Sequence, residues 1–349
     1  MSTLTVNAGS STLKASLFED QERLWTETYS WEGEAFDQMV EDLKPYFPEG
    51  ITHVGHRVVH GGVAFTKPTV INDRVIDELK QLIPLAPLHN PYNIEGIEKC
   101  IERFPQALQY AVFDTAFHSS MPDYAFRYPI PYDDVRVYGF HGISHQYCAL
   151  KANELHPCKK LITCHLGNGA SLAAVRSGGS IDTTMGFTPL DGLMMGTRSG
   201  SIDPGLVTEL MKQHHLSPEE MDTILNKQSG LVGVCGHNDM RDVLRLKKEG
   251  DLKAKLAFEM YTYRLVKSIG AMAAVLGGID GIAFTAGVGE NAAEVRESVC
   301  KRLDFLGIQI DEKKNNESLP DSLISRPGST LVFLVHARED LMIAKVAPS

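Results

Sequence analysis

The chain has 349 residues, 43% hydrophobic and 22% charged, with 30 glycines and 17 prolines. This is the composition of a globular protein with room for two domains and a cleft between them, and it excludes disorder, collagen and coiled coil. With 34 basic against 44 acidic side chains the formal net charge is −10, so nothing draws the chain to nucleic acid or an anionic membrane, and an anionic substrate needs local cations.

The N-terminus, Met1-Ser2-Thr3-Leu4-Thr5-Val6, has no basic stretch leading into an apolar one, so no secretory signal is expected. The most apolar long window, residues 265–284, is interrupted by Lys267 and Asp280, which disqualifies it as a membrane span. Cys100, Cys148, Cys158, Cys164, Cys235 and Cys300 form no C-x-x-C pair. The expectation is a cytoplasmic protein with free, mostly buried thiols, none of them catalytic.

In chain order, an apolar strand at residues 4–8 breaks at Gly9-Ser10-Ser11 and resumes at 13–18. Strands are expected at 54–59 and 111–113. Helical periodicity marks 75–82, 94–104 after Asn90-Pro91, and 144–155, where Ser144 is a candidate cap. The opening pattern returns at 161–166, meets Gly167-Asn168-Gly169, continues at 171–175, turns at Gly178-Gly179 and ends in a short strand at 180–184. With Val6 and Cys164 as equivalents the two copies lie 158 residues apart, too far for a solenoid and suited to two domains of one topology. Helices at 204–214, 252–275 and 292–303 and strands at 281–284 and 331–335 complete the pattern, while 312–328, polar and proline-containing, reads as a surface loop. Strands alternating with helices indicate an α/β architecture with ligands at the carboxyl ends of strands.

Several short constellations carry chemistry. Gly287-Val288-Gly289-Glu290-Asn291 follows a strand and opens a helix, so its backbone N–H groups can approach a ligand. It lacks the G-x-G-x-x-G spacing, and the chain has no G-x-x-x-x-G-K-[ST], so neither a Rossmann site nor a P-loop is supported. Arg198, among small residues before Asp203-Pro204, and Arg57, in Gly55-His56-Arg57-Val58-Val59-His60-Gly61-Gly62, are either structural ion-pair partners or the cations that hold a carboxylate or phosphoryl group. Asp114 comes directly after an apolar strand, where a carboxylate is a catalytic or metal-binding candidate or a simple turn cap. His141 and His145 have the i, i+4 spacing of a zinc helix, but the intervening glutamate and a third ligand are missing, so a histidine bonded to a phosphoryl oxygen is the better reading. Glycine-marked turns, two arginines, a strand-end aspartate and histidines, without an activated Ser or Cys, are the equipment of direct phosphoryl transfer.

In these residues the sequence resembles the acetate kinase family, within the superfamily of actin, sugar kinases and the seventy-kilodalton heat-shock ATPases. The resemblance runs nearly end to end, through Asn7-Ala8-Gly9-Ser10-Ser11, the Arg57 motif, Ala86-Pro87-Leu88-His89-Asn90-Pro91, Val112-Phe113-Asp114, Tyr138-Gly139-Phe140-His141-Gly142, His165-Leu166-Gly167-Asn168-Gly169, Met185-Gly186-Phe187-Thr188-Pro189, the Arg198 motif, Asn238-Asp239-Met240-Arg241 and the Gly287 motif. It implies two duplicated ribonuclease H-like, actin-like α/β domains around a central active-site cleft: an N-terminal domain at 1–116, onto which 340–349 packs back, and a nucleotide-binding domain at 117–339. The implied reaction is ATP + acetate ⇌ ADP + acetyl phosphate, a phosphotransfer to a carboxyl group that needs Mg²⁺, with Mn²⁺ as a substitute. The implied assembly is a homodimer.

By the same resemblance Arg57 holds the acetate carboxylate, Arg198 and His141 stabilise the transferring phosphoryl group, and Asp114 is the catalytic aspartate. Asn7 and Glu339 serve the metal. Lys14 and the run His165, Leu166, Gly167, Asn168 and Gly169 meet the phosphates; Asp239, Met240, Arg241, Gly287, Val288, Gly289, Glu290 and Asn291 form the nucleotide pocket. Val59, Leu88, Phe140 and Pro189 line an acyl pocket of the size associated with acetate.

Two departures stand out: a short stretch before Gly55, and Ala337-Arg338-Glu339-Asp340-Leu341 where the family's metal motif has a neutral amide in place of Arg338. Alternative readings are a propionate or butyrate kinase of the same family, pyrophosphate as donor, and a non-catalytic nucleotide-binding protein of the superfamily, for which Arg57, Arg198 and His141 have no use.

Overall fold

The computed structural model of the protein describes residues 1–9, 11–30, 35–46 and 50–348; Ser10 of the expected first turn lies outside them. The chain divides into two compact units, one of Met1–Ser119, Phe140–Tyr147 and Arg338–Ser349, the other of Ser120–Gly139 and Cys148–Ala337.

In the first unit β1 (Ser2–Ala8), β2 (Thr12–Glu19) and β3 (Glu22–Ser30) form an antiparallel meander. β4 (His53–Val58) runs parallel to β1, and β6 (Leu108–Phe113) parallel to β4, while the two-residue β5 (Thr69–Val70) is antiparallel to β6. The order is β3-β2-β1-β4-β6-β5. Central strands read as near-continuous apolar runs because both faces are covered: Leu4, Val6 and Leu13 pack with Phe36, Met39 and Leu43 of the helix Ala35–Leu43, and Val58 and Phe113 with Leu79, Ile94 and Ile97 of the helices Asp73–Gln81 and Asn90–Arg103.

The second unit repeats this wiring. β7 (Lys160–Leu166), β8 (Ala170–Arg176) and β9 (Gly179–Thr183) are the meander. β10 (Gly281–Thr285) runs parallel to β7 and β12 (Leu331–Leu334) parallel to β10, with the two-residue β11 (Ser322–Leu323) antiparallel to β12. The order β11-β12-β10-β7-β8-β9 is the first sheet written in reverse. Val6 and Cys164 each stand fifth in a seven-residue strand, so the expected α/β duplication holds down to the register of the opening strands. Among the described residues no helix is long and apolar enough to cross a membrane, and all six cysteines are free.

Two expectations need correction. The helix expected from Ser144 starts at Gly142, because the Gly142 N–H donates to the Asp114 carbonyl at 2.8 Å. A Cβ at 142 would lie 2.1 Å from that oxygen, so glycine there permits the close approach. His141 stands just outside the helix with φ 55°, in the left-handed region. The helix expected at 292–303 is present as Ala293–Arg302, and a further short helix, Ala286–Asn291, precedes it. Residues 312–328 are not a surface loop: they form the helix Glu312–Glu317, capped by Asp311, and β11, and they bury Asn315 and Ile324. Most of their polar side chains are exposed, but Asn315 is buried and spent on internal hydrogen bonds.

The first unit also buries imidazoles. Burial pushes His56, His60 and His118 down to about 4, opposed at His56 by the Gln109 amide and at His118 by the Phe140 carbonyl. Each ring is therefore neutral when folded, whereas the unfolded chain takes up protons below about 6.5. Their stabilising contribution is complete above that pH and is lost as pH falls towards 4, by up to about 1.4 kcal/mol per pH unit for each ring. The urea midpoint should fall steadily between pH 7.5 and 5; a flat midpoint would show that these rings take up no protons on unfolding.

Candidate active site

In the first unit the carboxyl ends of three adjacent parallel strands converge. Asn7 lies on β1, Arg57 on β4, and Asp114 just beyond β6. Arg57 Nη2 donates to Asp114 Oδ2 at 2.6 Å and Nε to Oδ1 at 3.3 Å, while Nη1 donates to Asn7 Oδ1 at 3.2 Å. Glu339, at the start of the helix Glu339–Lys345, brings Oε2 to 3.8 Å from Arg57 Nε. The Asp114 side chain is 2% exposed and that of Arg57 19%. Burial works against the Arg57 charge, but Asp114 and Glu339 more than offset it and hold the guanidinium above its usual range.

Asn7, Lys14, Arg57, Glu339 and Asp340 also line a cavity of about 30 Å³. Arg338 does not intrude on Glu339. Its Nε donates to Asp340 Oδ1 at 3.1 Å, and Arg23 of β3 meets the other oxygen of Asp340 at 3.2 Å. Burial alone would raise Asp340, yet Arg338 and Lys14 bring it below the usual carboxylate range. Of the expected acyl-pocket residues, Val59 and Phe140 are buried in the first unit, Phe140 edge-on to His60 at 5.6 Å. Leu88 is 57% exposed there, and Pro189 belongs to the second unit.

In the second unit three motifs distant in sequence share one cavity of about 690 Å³: Gly167 and Asn168 after β7, Asp239, Met240 and Arg241 at the head of the helix Met240–Lys248, and Gly287, Val288 and Asn291 in the turn after β10. Asp239 caps its helix by accepting from the Arg241 N–H at 2.8 Å, and its carboxylate also takes the Arg241 guanidinium, which lowers its pKa. The turn after β10 is entered through Ala286 at φ 66°, a strained conformation for a residue with a side chain. It is tied internally by Asn291 Nδ2 donating to the Gly287 carbonyl at 2.8 Å.

Leu166 is fully buried in β7. Glu290, grouped with the nucleotide residues by sequence, is engaged elsewhere: it pairs with His336 Nδ1 at 2.7 Å and accepts from the Ala337 N–H at 2.9 Å. Gly196, Leu231, Asn238, Leu244, Tyr261 and Ala292 also line the cavity. Gly196 and Asn238 sit inside motifs visible in the sequence, whereas Tyr261 lies in the helix expected at 252–275 with no mark of a cavity, and Leu244 lies in the helix Met240–Lys248, which is not among the expected elements. Arg198 is half-buried and donates to the Pro189 carbonyl at 3.3 Å and the Met195 sulfur at 3.8 Å. Burial lowers its pKa, and among the described residues no carboxylate forms an ion pair with it. A guanidinium held by neutral partners is poised for an anion. In the i, i+4 histidine pair His145 is buried edge-on to His118, and among the described residues no three His, Cys, Asp or Glu side chains cluster as a protein-ligated zinc site would require.

The family model described as "Acetokinase family" matches residues 33–345. An acetate kinase of Sulfurovum sp. (strain NBC37-1) is 45% identical over 386 aligned residues, covering 99% of this chain and 98% of the relative. The alignment is longer than the 349 residues here, so that relative carries segments this chain lacks. An acetate kinase of Gloeothece citriformis (strain PCC 7424) is 53% identical over 318 residues, 88% of this chain and 77% of the relative. Among solved structures, a propionate kinase from Francisella tularensis subsp. tularensis SCHU S4 superposes with a TM-score of 0.90 at 40% identity, covering 99% of this chain and 98% of that one. The acetate kinase of Porphyromonas gingivalis gives 0.89 at 38% identity with the same coverage. The chain belongs to the acetokinase family.

Gly196 joins two walls of the second unit's cavity. Its N–H donates to the Asn168 carbonyl at 3.0 Å, and a Cβ there would lie 2.0 Å from Asn168 Oδ1 and 3.0 Å from the Asn238 carbonyl. Gly196→Ala should therefore cost about 1–3 kcal/mol of stability through overpacking. Chemical denaturation checks this, and wild-type stability would mean that the Asn168 amide swings clear.

Proposed function

We propose that the protein catalyses reversible, direct phosphoryl transfer from ATP to acetate, giving acetyl phosphate and ADP. The observation that carries this reading is the gathering of the Gly167, Asp239 and Gly287 motifs around one cavity of about 690 Å³, within the size range of small-ligand sites. Residues 167–169 and the turn at 287–291 offer backbone N–H groups to the phosphates, with Lys14, Arg198 and His141 as further partners of phosphoryl oxygens. The two compact units serve as the two domains, the first handling the carboxylate and the second the nucleotide. The reading includes a cytoplasmic homodimer that acts on small molecules, not on nucleic acid or membranes.

Asn7 and Glu339 fit Mg²⁺, or Mn²⁺ in its place. They present hard oxygen donors and are few, as suits an ion that keeps several waters and shares the substrate's phosphates. When bound, such an ion would supply neutralisation of phosphate charge. The side chains do the rest by positioning: Arg57 binds the acetate carboxylate, and Asp114 holds Arg57 in place from behind through two hydrogen bonds. No base is required, because acetate has no proton to surrender at pH 7.

A hydroxamate assay with ATP, Mg²⁺ and acetate, propionate, butyrate or no acid tests the function. The expected order is acetate first and propionate second, since a methylene in an apolar pocket is worth only about 1–3 kcal/mol of discrimination and a propionate kinase is among the structural relatives. No hydroxamate with any acid, in protein that binds ATP, would leave a nucleotide-binding protein without this activity.

Asp114→Asn should lower kcat/KM for acetate by about 100-fold or more, because a partly buried guanidinium loses its buried charged partner. Titrating Mg²⁺ should not restore it; recovery in excess Mg²⁺ would reassign Asp114 to metal placement.

A further inference from the structure

Arg296, on the helix Ala293–Arg302, is 2% exposed. Its four hydrogen bonds all go to neutral oxygens. Nε donates to Asn315 Oδ1 at 2.8 Å and Nη2 to the Asn315 carbonyl at 2.6 Å, while Nη1 donates to the carbonyls of Gly289 at 2.9 Å and Glu290 at 2.8 Å. Among the described residues no carboxylate forms an ion pair with it. Burial pulls its pKa down to about 10, opposed by Cys300. A buried charge without a counter-charge is costly, and a neutral side chain of similar volume would fill the space at less expense. What the guanidinium provides that such a side chain could not is a pair of donors on one nitrogen, aimed at two successive carbonyls.

Those carbonyls end the short helix Ala286–Asn291, where helix C=O groups lack intrahelical partners and a cation is favoured. The same six residues face the second unit's cavity through Gly287, Val288 and Asn291. The turn is thus entered through a strained Ala286 and held at its exit by Arg296. Asn315, itself 2% exposed, fixes the guanidinium with both of its oxygens and donates Nδ2 to the Ala293 carbonyl at 2.9 Å. This amide is carried by the helix Glu312–Glu317.

We infer that Arg296 and Asn315 are positioning residues for nucleotide binding: without touching the ligand, they set the shape of the Gly287–Asn291 turn against which the nucleotide lies. The inference rests on the reading of the cavity as a nucleotide site.

The test uses the full chain with Arg296→Met, Arg296→Lys and Asn315→Ala, and three readouts: thermal unfolding, binding of the fluorescent nucleotide mant-ADP, and KM for ATP and for acetate measured separately. Arg296→Met should weaken mant-ADP binding and raise KM for ATP by about tenfold or more, as expected for the loss of buried charge-assisted bonds. KM for acetate at saturating ATP should stay within about twofold. Arg296→Lys, which keeps the charge and can reach one carbonyl, should lie between, and Asn315→Ala should move in the same direction as Arg296→Met by a smaller factor. A folded Arg296→Met protein with unchanged mant-ADP affinity, or with equal rises in both KM values, overturns the inference and makes the cluster a strut of the fold. If Arg296→Met does not fold, the other two variants decide by the same criteria. Wild-type protein that fails to bind mant-ADP overturns instead the nucleotide reading on which the inference stands.

Discussion

Asp114 is the residue through which the first unit's site is organised, and it acts at three points at once. Its N–H donates to the Val58 carbonyl at 3.0 Å, which extends the pairing of β4 and β6 by one residue. Its carbonyl accepts from Gly142, which starts a helix and leaves His141 in a left-handed conformation at the helix mouth. Its carboxylate, buried and bidentate, holds Arg57. A buried ion pair of this kind depends on geometry to offset its desolvation, and the geometry here comes from the parallel register of β1, β4 and β6. The pair therefore couples strand register to the direction in which a guanidinium faces.

The second unit uses the same wiring to different ends. The carboxyl ends of β7 and β10 deliver glycine turns where the first sheet delivers Asn7 and Arg57, and the segment after β12 is held by Glu290 through His336 and Ala337. Duplication supplies equivalent strand ends, and the residues placed there decide whether an end offers backbone N–H groups or charged side chains. Glu290 shows how the roles divide within one motif: its neighbours Gly287, Val288 and Asn291 line a cavity while its own carboxylate secures a strand exit.

Much of this is local and so could be read before folding. The strand-turn-strand signature at 4–18 and 161–175 reflects short-range alternation and small-residue breaks, and the glycine motifs mark turns wherever they fall. What could not be read depends on partners far away in sequence. Arg338 looked like an intruder beside Glu339 until Asp340 and Arg23, the latter more than 300 residues earlier, were seen to share its neighbourhood. Residues 312–328 looked like a loop because most of them are polar, and by composition the buried Asn315 cannot be told from its solvated neighbours. Tyr261 follows the periodicity of the helix expected at 252–275 whether it faces a core or a cavity, so periodicity alone cannot assign it.

Each sheet ends, on the side of β6 and of β12, in a strand of two residues, β5 and β11. At the far side of the first sheet, β3 is long but carries Glu22, Arg23 and Glu27 along a largely exposed run. An open sheet edge is a template on which another chain can add a strand, and short or charged edge strands deny it. The duplicated topology, which could have left four such templates in one molecule, closes two of them by brevity and a third by charge. The outermost strands thus contribute to colloidal behaviour, a role independent of any chemistry at the strand ends.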